Sequence, residues 1–193
     1  MTNSTLTLRR KAFLLEYGTV AWNLVEAALA ISTGLAAGSV ALVAFGLDSL
    51  VEVFASAVVI WELLGVDDRR ERFALKLIGL AYLAVSLYIG WEAIRSLVGQ
   101  EHPGVSIVGM VLMLATVLIM LSLAYGKQKV GSAMVSATVL ADARFSAIDA
   151  ALAGSVLVGL GLNALFGLWW SDQVMALALA ALAAREGTEA LRG

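Results

Sequence analysis

The sequence contains no cysteine, one histidine and one proline among its 193 residues, and only 15% of these are charged. The absence of cysteine excludes disulfides and thiolate metal ligands. The only histidine, His102, precedes the only proline in a predicted loop, so we expect a loop residue and not a ligand. No pairing of serine with histidine and no phosphate-binding loop is present, so we expect that the protein is not an enzyme.

Charge gives no sign of a nucleic-acid partner either, because the net charge is only −2 and no basic cluster is dense enough. Hydrophobic residues make up 61% of the chain and the mean hydropathy is +0.90, whereas soluble domains have about 45 to 50% apolar residues. Apolar runs of about 20 residues recur, and each can cross about 30 Å of hydrocarbon. The predicted fold is all-α: a polytopic membrane protein in which residues 1–193 form a single domain.

Breaks at glycine, proline and charge clusters divide the chain into six predicted transmembrane helices. They cover residues 12–33, 39–63, 73–96, 105–126, 134–166 and 169–185. The fifth window is too long for one helix, so we expect its first part, SAMVSATVLADARF, to project into water or to tilt steeply. No small-residue cleavage signal follows the polar first ten residues, so we expect no removable signal peptide.

Positive residues that flank the spans predict the orientation in the membrane, because such residues are retained on the cytoplasmic side. Nearly all of them lie before span one, in the second and fourth connections, or after span six: Arg9, Arg10, Lys11, Arg69, Arg70, Arg72, Lys76, Lys127, Lys129, Arg185 and Arg192. Only Arg95 flanks the opposite side. Both termini are therefore predicted to be cytoplasmic, in a multi-pass protein of the cell (inner) membrane.

Two acidic residues interrupt the apolar run LVAFGLDSLVEVFAS at positions 42–56. A carboxylate at the centre of a spanning helix costs roughly 2.5 to 3.5 kcal/mol, so two of them require an explanation. Asp48 and Glu52 are four residues apart, which places them on one face of a helix, one turn from each other. Such a pair repels itself unless a cation or a shared proton lies between the two groups.

Span five repeats this pattern, because Asp142 and Asp149 in LADARFSAID are seven residues apart and also share a helix face. The four carboxylates can converge, and a divalent cation is the simplest group that would hold them together. Alternatively, the acids pair with Arg144, cap helices or lie protonated in the bundle. This alternative carries most weight for Asp142, which lies near the predicted cytoplasmic end.

Span one adds a polar pair, Asn23 and Glu26, at a spacing of three residues. These side chains could form hydrogen bonds that orient the metal ligands, or they could form an interhelical hydrogen bond without a role in metal binding. The interhelical hydrogen bond is the preferred interpretation.

Three stretches together resemble the cation diffusion facilitators, a family of six-span exporters of divalent metals. GSVALVAFGLDSLVEVFAS resembles the family's second span, LADARFSAIDAALAGSVLVGLGL its fifth, and WWSDQVMALALAALAAREGTEALRG its last. The resemblance covers essentially the whole chain. The expected partners are membrane lipid, metal ions and a second copy of the chain in a homodimer, with no nucleic acid.

The resemblance implies that Asp48, Glu52 and Asp149 are metal ligands. Most zinc-transporting members have a histidine four residues before the last aspartate, where this chain has Phe145, and the second carboxylate of span two is usually aspartate rather than Glu52. Zinc is the metal expected from the family, but loss of the nitrogen ligand makes manganese or ferrous iron plausible. Asp142 could supply the missing ligand, or could be a separate binding site on the cytoplasmic side.

The mechanism that the resemblance implies is proton-coupled efflux by alternating access, in which protons moving inward displace the metal from the carboxylates. Family members commonly continue into a cytoplasmic metal-binding domain, whereas this sequence stops at Gly193. The alternative is a metal-binding or scaffold membrane protein that keeps the fold without transporting.

Overall fold

A computed structural model describes residues 3–64 and 68–192, of which nearly all are helical and none is in a strand. The six helices are α1 (Asn3–Ala37), α2 (Val40–Leu63), α3 (Asp68–Val98), α4 (Ile107–Met134), α5 (Ala137–Phe166) and α6 (Trp170–Arg192). The predicted all-α class is therefore confirmed, and each predicted span has one helix as its counterpart.

Polar caps and left-handed residues define where the helices begin and end. Ser106 and Ser136 cap α4 and α5, and each side chain accepts a hydrogen bond from the backbone N–H three residues later. The left-handed C-cap residues are Val135 and Gly167, and Gly38 adopts the same conformation between α1 and α2. Serine supplies an acceptor for the free N–H groups of a first turn, which is why it is favoured at these positions.

The fourth connection corrects two predictions. The window 134–166 was expected to be too long for one helix, but only its first three residues lie outside α5: the chain turns at Val135 and Ser136, and residues 137–166 form one continuous helix. That the first part of this window projects into water or tilts steeply stays a prediction. Lys127 and Lys129 were assigned to this connection, but both lie within α4, and Lys127 is fully buried. Lys127 is thus an interior residue and not a flanking charge.

The helices pack as three closely associated pairs, α1 with α2, α3 with α6 and α4 with α5, and α2 also contacts α3, α5 and α6. Gly46 of α2 permits the close approach of α1, since a Cβ atom there would lie 2.7 Å from Ile31 Cγ1 and 3.1 Å from the Ala27 carbonyl oxygen. The central position of α2 places the side chains of this helix against several neighbours at once.

Large apolar side chains cover much of the outer surface, as the hydrocarbon interior of a membrane requires; examples are Leu87, Val111, Leu118 and Val158. Within the part of the chain that the structure describes, four helical segments are long and apolar enough to cross a membrane: Thr7–Ala37, Val40–Val58, Ile107–Met134 and Asp142–Phe166. The protein is therefore a multi-pass integral membrane protein. That the chain crosses the membrane six times, with both termini in the cytoplasm, stays a prediction.

Candidate metal centre

Three carboxylates from two helices converge in the interior. Asp48 and Glu52 lie on α2 and Asp149 lies on α5, and one oxygen from each lies within 4.8 Å of the others. All three residues are buried, with exposed fractions of 9%, 8% and 1%. The structure therefore brings together three of the four acids that the sequence indicated: the pair on one face of α2 and Asp149 on the facing side of α5.

No hydrogen-bond donor from the described residues reaches either carboxylate oxygen of Asp149. A buried carboxylate without a donor or a positive partner is costly, and this one lies beside two further acids. Such an arrangement is stable when a cation is bound or when protons are taken up. Oxygen ligands of this kind suit hard and borderline divalent cations.

Asn23 of α1 fixes one of the carboxylates, because its side-chain amide Nδ2 donates a hydrogen bond of 3.0 Å to Glu52 Oε2. Asn23 is itself fully buried. A neutral donor can orient a ligating carboxylate without competing for the metal. The sequence analysis favoured an interhelical hydrogen bond for Asn23. The observed bond is of this kind, and it also orients a candidate ligand.

Glu26 of α1 belongs to a separate set of hydrogen bonds and not to the carboxylate cluster. One of its oxygens accepts from Ser49 Oγ of α2 at 3.1 Å, and the other accepts from Thr116 Oγ1 of α4. Both donors are buried hydroxyl groups. Glu26 therefore ties α1 to two other helices, as the preferred interpretation of its position in span one predicted.

A small cavity of about 20 Å³ adjoins the cluster, and its wall includes Asp48, Glu52, Tyr82, Phe145 and Glu186. This volume is sufficient for about one water molecule. Phe145 therefore lies beside two of the three candidate ligands, Asp48 and Glu52. That Phe145 occupies the family's histidine position stays a prediction. Glu186 of α6 was not predicted as a site residue, since a lone acid near the end of a charged helix resembles an ordinary solvated side chain.

Asp142 lies outside the cluster and is bound by a different group. Its carboxylate contacts the ammonium group of Lys127, and Lys127 also forms an ion pair of 3.4 Å with Glu16 of α1. Arg144, the partner that the sequence suggested, is exposed. The role of Asp142 as a metal ligand stays a prediction. In the sequence, these ion pairs were indicated only by Glu16, an acidic residue within the first apolar run.

Asp172 of α6 anchors the opposite end of α2. Its carboxylate accepts hydrogen bonds from the Ser39 hydroxyl and, at 3.2 Å, from the Ala41 backbone N–H. The sequence marked Asp172 only as part of the WWSD pattern and gave it no role. This buried carboxylate completes the N-terminal cap of the helix that carries Asp48 and Glu52, so it helps to set the position of α2 in the bundle.

Comparison with known protein families confirms the resemblance. A family model described as the cation efflux transmembrane domain matches residues 68–192. This range contains Asp149 but begins after Asp48 and Glu52. No match was found among curated proteins. Because the family match covers more than half of the chain, this protein belongs to the cation efflux family, whose members transport metal cations and are not enzymes.

Proposed function

We propose that the protein binds one divalent metal cation between Asp48, Glu52 and Asp149 and exports it from the cytoplasm in exchange for protons. The observation that carries this proposal is the convergence of three buried carboxylates within 4.8 Å of one another. Three anionic oxygens with no basic side chain among them attract a cation strongly, and the adjoining cavity has room for a water ligand.

Manganese and ferrous iron are the favoured substrates, and zinc and cobalt are the competing ones. The three ligands are all carboxylates, and Phe145 stands in the cavity wall where a histidine would provide a nitrogen donor. Hard and borderline ions accept an all-oxygen site, whereas zinc sites usually include nitrogen or sulfur ligands.

Export requires that the metal leave a site with a high negative charge. Protons provide the means, because a carboxylate that takes up a proton loses its negative charge and holds a cation more weakly. In the proposed cycle, the protein crosses the membrane six times and has both termini in the cytoplasm. The site opens to the cytoplasm to bind metal, opens to the outside to release it, and returns with protons on the same carboxylates.

Flux into sealed vesicles tests this proposal. The purified chain is reconstituted into liposomes, and uptake of Mn²⁺, Fe²⁺, Co²⁺ and Zn²⁺ is measured with and without a pH gradient. We expect uptake that depends on the gradient and is lost in Asp149→Asn. Metal binding without flux in any condition would instead support the alternative, a metal-binding membrane protein that does not transport.

A further inference from the structure

Three buried ionisable side chains from α1, α4 and α5 form a second charged cluster, apart from the metal centre. The side chains of Lys127 and Glu16 have no exposed surface, and that of Asp142 is 5% exposed. The Lys127 ammonium contacts Asp142 and lies 3.4 Å from Glu16 Oε2. It also donates a hydrogen bond of 3.1 Å to Ser146 Oγ. Oxygen atoms from three side chains therefore surround one cation.

This cluster contains one more carboxyl group than it needs to neutralise Lys127, because Glu16 and Asp142 face a single ammonium group. Neither oxygen of Glu16 accepts a hydrogen bond from a described residue. A buried ion pair needs only one acid, and an additional buried carboxylate is destabilising unless a positive charge compensates for it or it takes up a proton. Ionisable groups within membrane spans mark functional positions by default. The excess of carboxylate makes this a place where cations are attracted.

The second cluster lies close to the metal centre along α5. Asp142 and Asp149 are seven residues apart on the same helix, which is about 10 Å at 1.5 Å per residue. Ser146 lies between them in sequence and contacts Lys127. Asp142 contacts Lys127, whereas Asp149 lies with Asp48 and Glu52, so the two clusters can hold separate cations.

We propose that Glu16 and Asp142 form a second cation site, and that the ammonium group of Lys127 is its resident cation in the conformation described. The Lys127 ammonium group thereby prevents a metal ion from binding to Asp142, and the protein binds one divalent ion. Removal of the ammonium group leaves two buried carboxylates and the Ser146 hydroxyl, an oxygen set that suits a divalent cation. The inference deepens the proposed function, since it rests on the first cluster being the site of the transported ion.

The stoichiometry of Mn²⁺ binding tests this inference. Calorimetric titration of the full chain in detergent is performed for the unaltered protein, Lys127→Gln and the matched control Lys127→Arg. We expect about one ion per chain for the unaltered protein and the arginine variant, and about two for the glutamine variant, because only glutamine removes the positive charge. If Lys127→Gln binds no more ions than the unaltered protein, the inference is overturned.

Double variants assign the additional ion to its residues. Asp142→Asn in the Lys127→Gln background is expected to restore binding of a single ion, whereas Asp149→Asn in that background is expected to leave only the ion at Glu16 and Asp142. If the proposed function fails, the unaltered protein binds no Mn²⁺, while Lys127→Gln still gains one ion. The two failures are therefore distinguishable.

A further variant covers the case in which Lys127→Gln does not fold. In the otherwise unaltered protein, Asp142→Asn is expected to keep Mn²⁺ affinity within about twofold, since Asp142 is occupied by Lys127 and not by metal. A tenfold or greater loss of affinity would make Asp142 a ligand of the transported ion and would overturn the inference.

Discussion

Asn23 and Glu52 are joined across α1 and α2 by a hydrogen bond of 3.0 Å from the Asn23 amide nitrogen to one Glu52 carboxylate oxygen. Both side chains are buried. The bond leaves the other oxygen of Glu52 available to a cation, and it holds a side chain that is one methylene longer than aspartate in a single orientation. Asn23 is thus a positioning residue for the candidate ligand.

Substitution of Asn23 by alanine should weaken Mn²⁺ binding by about 10-fold, the lower end of the effect seen when a residue that orients a metal ligand is removed. Isothermal calorimetry measures this change. The matched control is Ser49→Ala, which removes a buried hydroxyl group that bonds to Glu26 and not to Glu52. Equal affinities for Asn23→Ala and the unaltered protein would mean that the hydrogen bond does not prepare Glu52 for metal.

Substitution of Asp48 or Asp149 by asparagine should lower Mn²⁺ affinity by about 100-fold or more, because each change removes one anionic ligand of three and keeps the size of the side chain. The same calorimetric titration applies. Asp172→Asn is the control: it removes the charge of a buried carboxylate outside the cluster, and the asparagine amide oxygen can still accept a hydrogen bond at the start of α2, so Mn²⁺ affinity should not change. A variant of Asp48 or Asp149 that kept its affinity would remove that residue from the site.

The sequence was sufficient to predict the candidate ligands on each helix but not their partners on other helices. A spacing of four fixes Asp48 and Glu52 on one face because the helix has 3.6 residues per turn. No comparable rule states that Asn23 contacts Glu52, since that contact depends on how closely α1 approaches α2.

Lys127 illustrates a second limit of sequence analysis. A lysine near the end of an apolar run is typical of the membrane surface, and the flanking charges predicted that position. The structure continues α4 to Met134 and buries Lys127 against acids from α1 and α5. Charge patterns along a chain do not contain this information, because the compensating carboxylates lie 111 and 15 residues away in sequence.

Substitution of Phe145 by histidine should shift the metal preference towards zinc. Phe145 lines the same cavity as Asp48 and Glu52, so an imidazole there can provide the nitrogen donor that zinc favours. The ratio of Zn²⁺ to Mn²⁺ affinity is expected to rise about 10-fold relative to the unaltered protein. Val158→His, on an exposed position of the same helix, controls for non-specific binding by a new histidine. An unchanged ratio would mean that residue 145 does not reach the ion.

Substitution of Gly46 by alanine should destabilise the protein, although alanine is favoured over glycine within helices by about 1 kcal/mol. The new Cβ atom would lie 2.7 Å from Ile31 Cγ1 and 3.0 Å from the Ile31 backbone nitrogen. Because backbone atoms cannot move aside as a flexible side chain can, α1 must shift away from α2. The shift should lower the melting temperature and also weaken Mn²⁺ binding, since it moves Asn23 away from Glu52.

The matched control for this change is Gly161→Ala in α5, where an added Cβ atom would meet nothing within 4 Å. That variant should be as stable as the unaltered protein or more stable, because only the helix propensity changes. Thermal unfolding in detergent and Mn²⁺ titration are measured on both variants. Equal melting temperatures for Gly46→Ala and Gly161→Ala would show that α1 and α2 are not held at the distance described. Lower stability of Gly46→Ala with unchanged Mn²⁺ affinity would separate the packing of α1 from the positioning of Glu52.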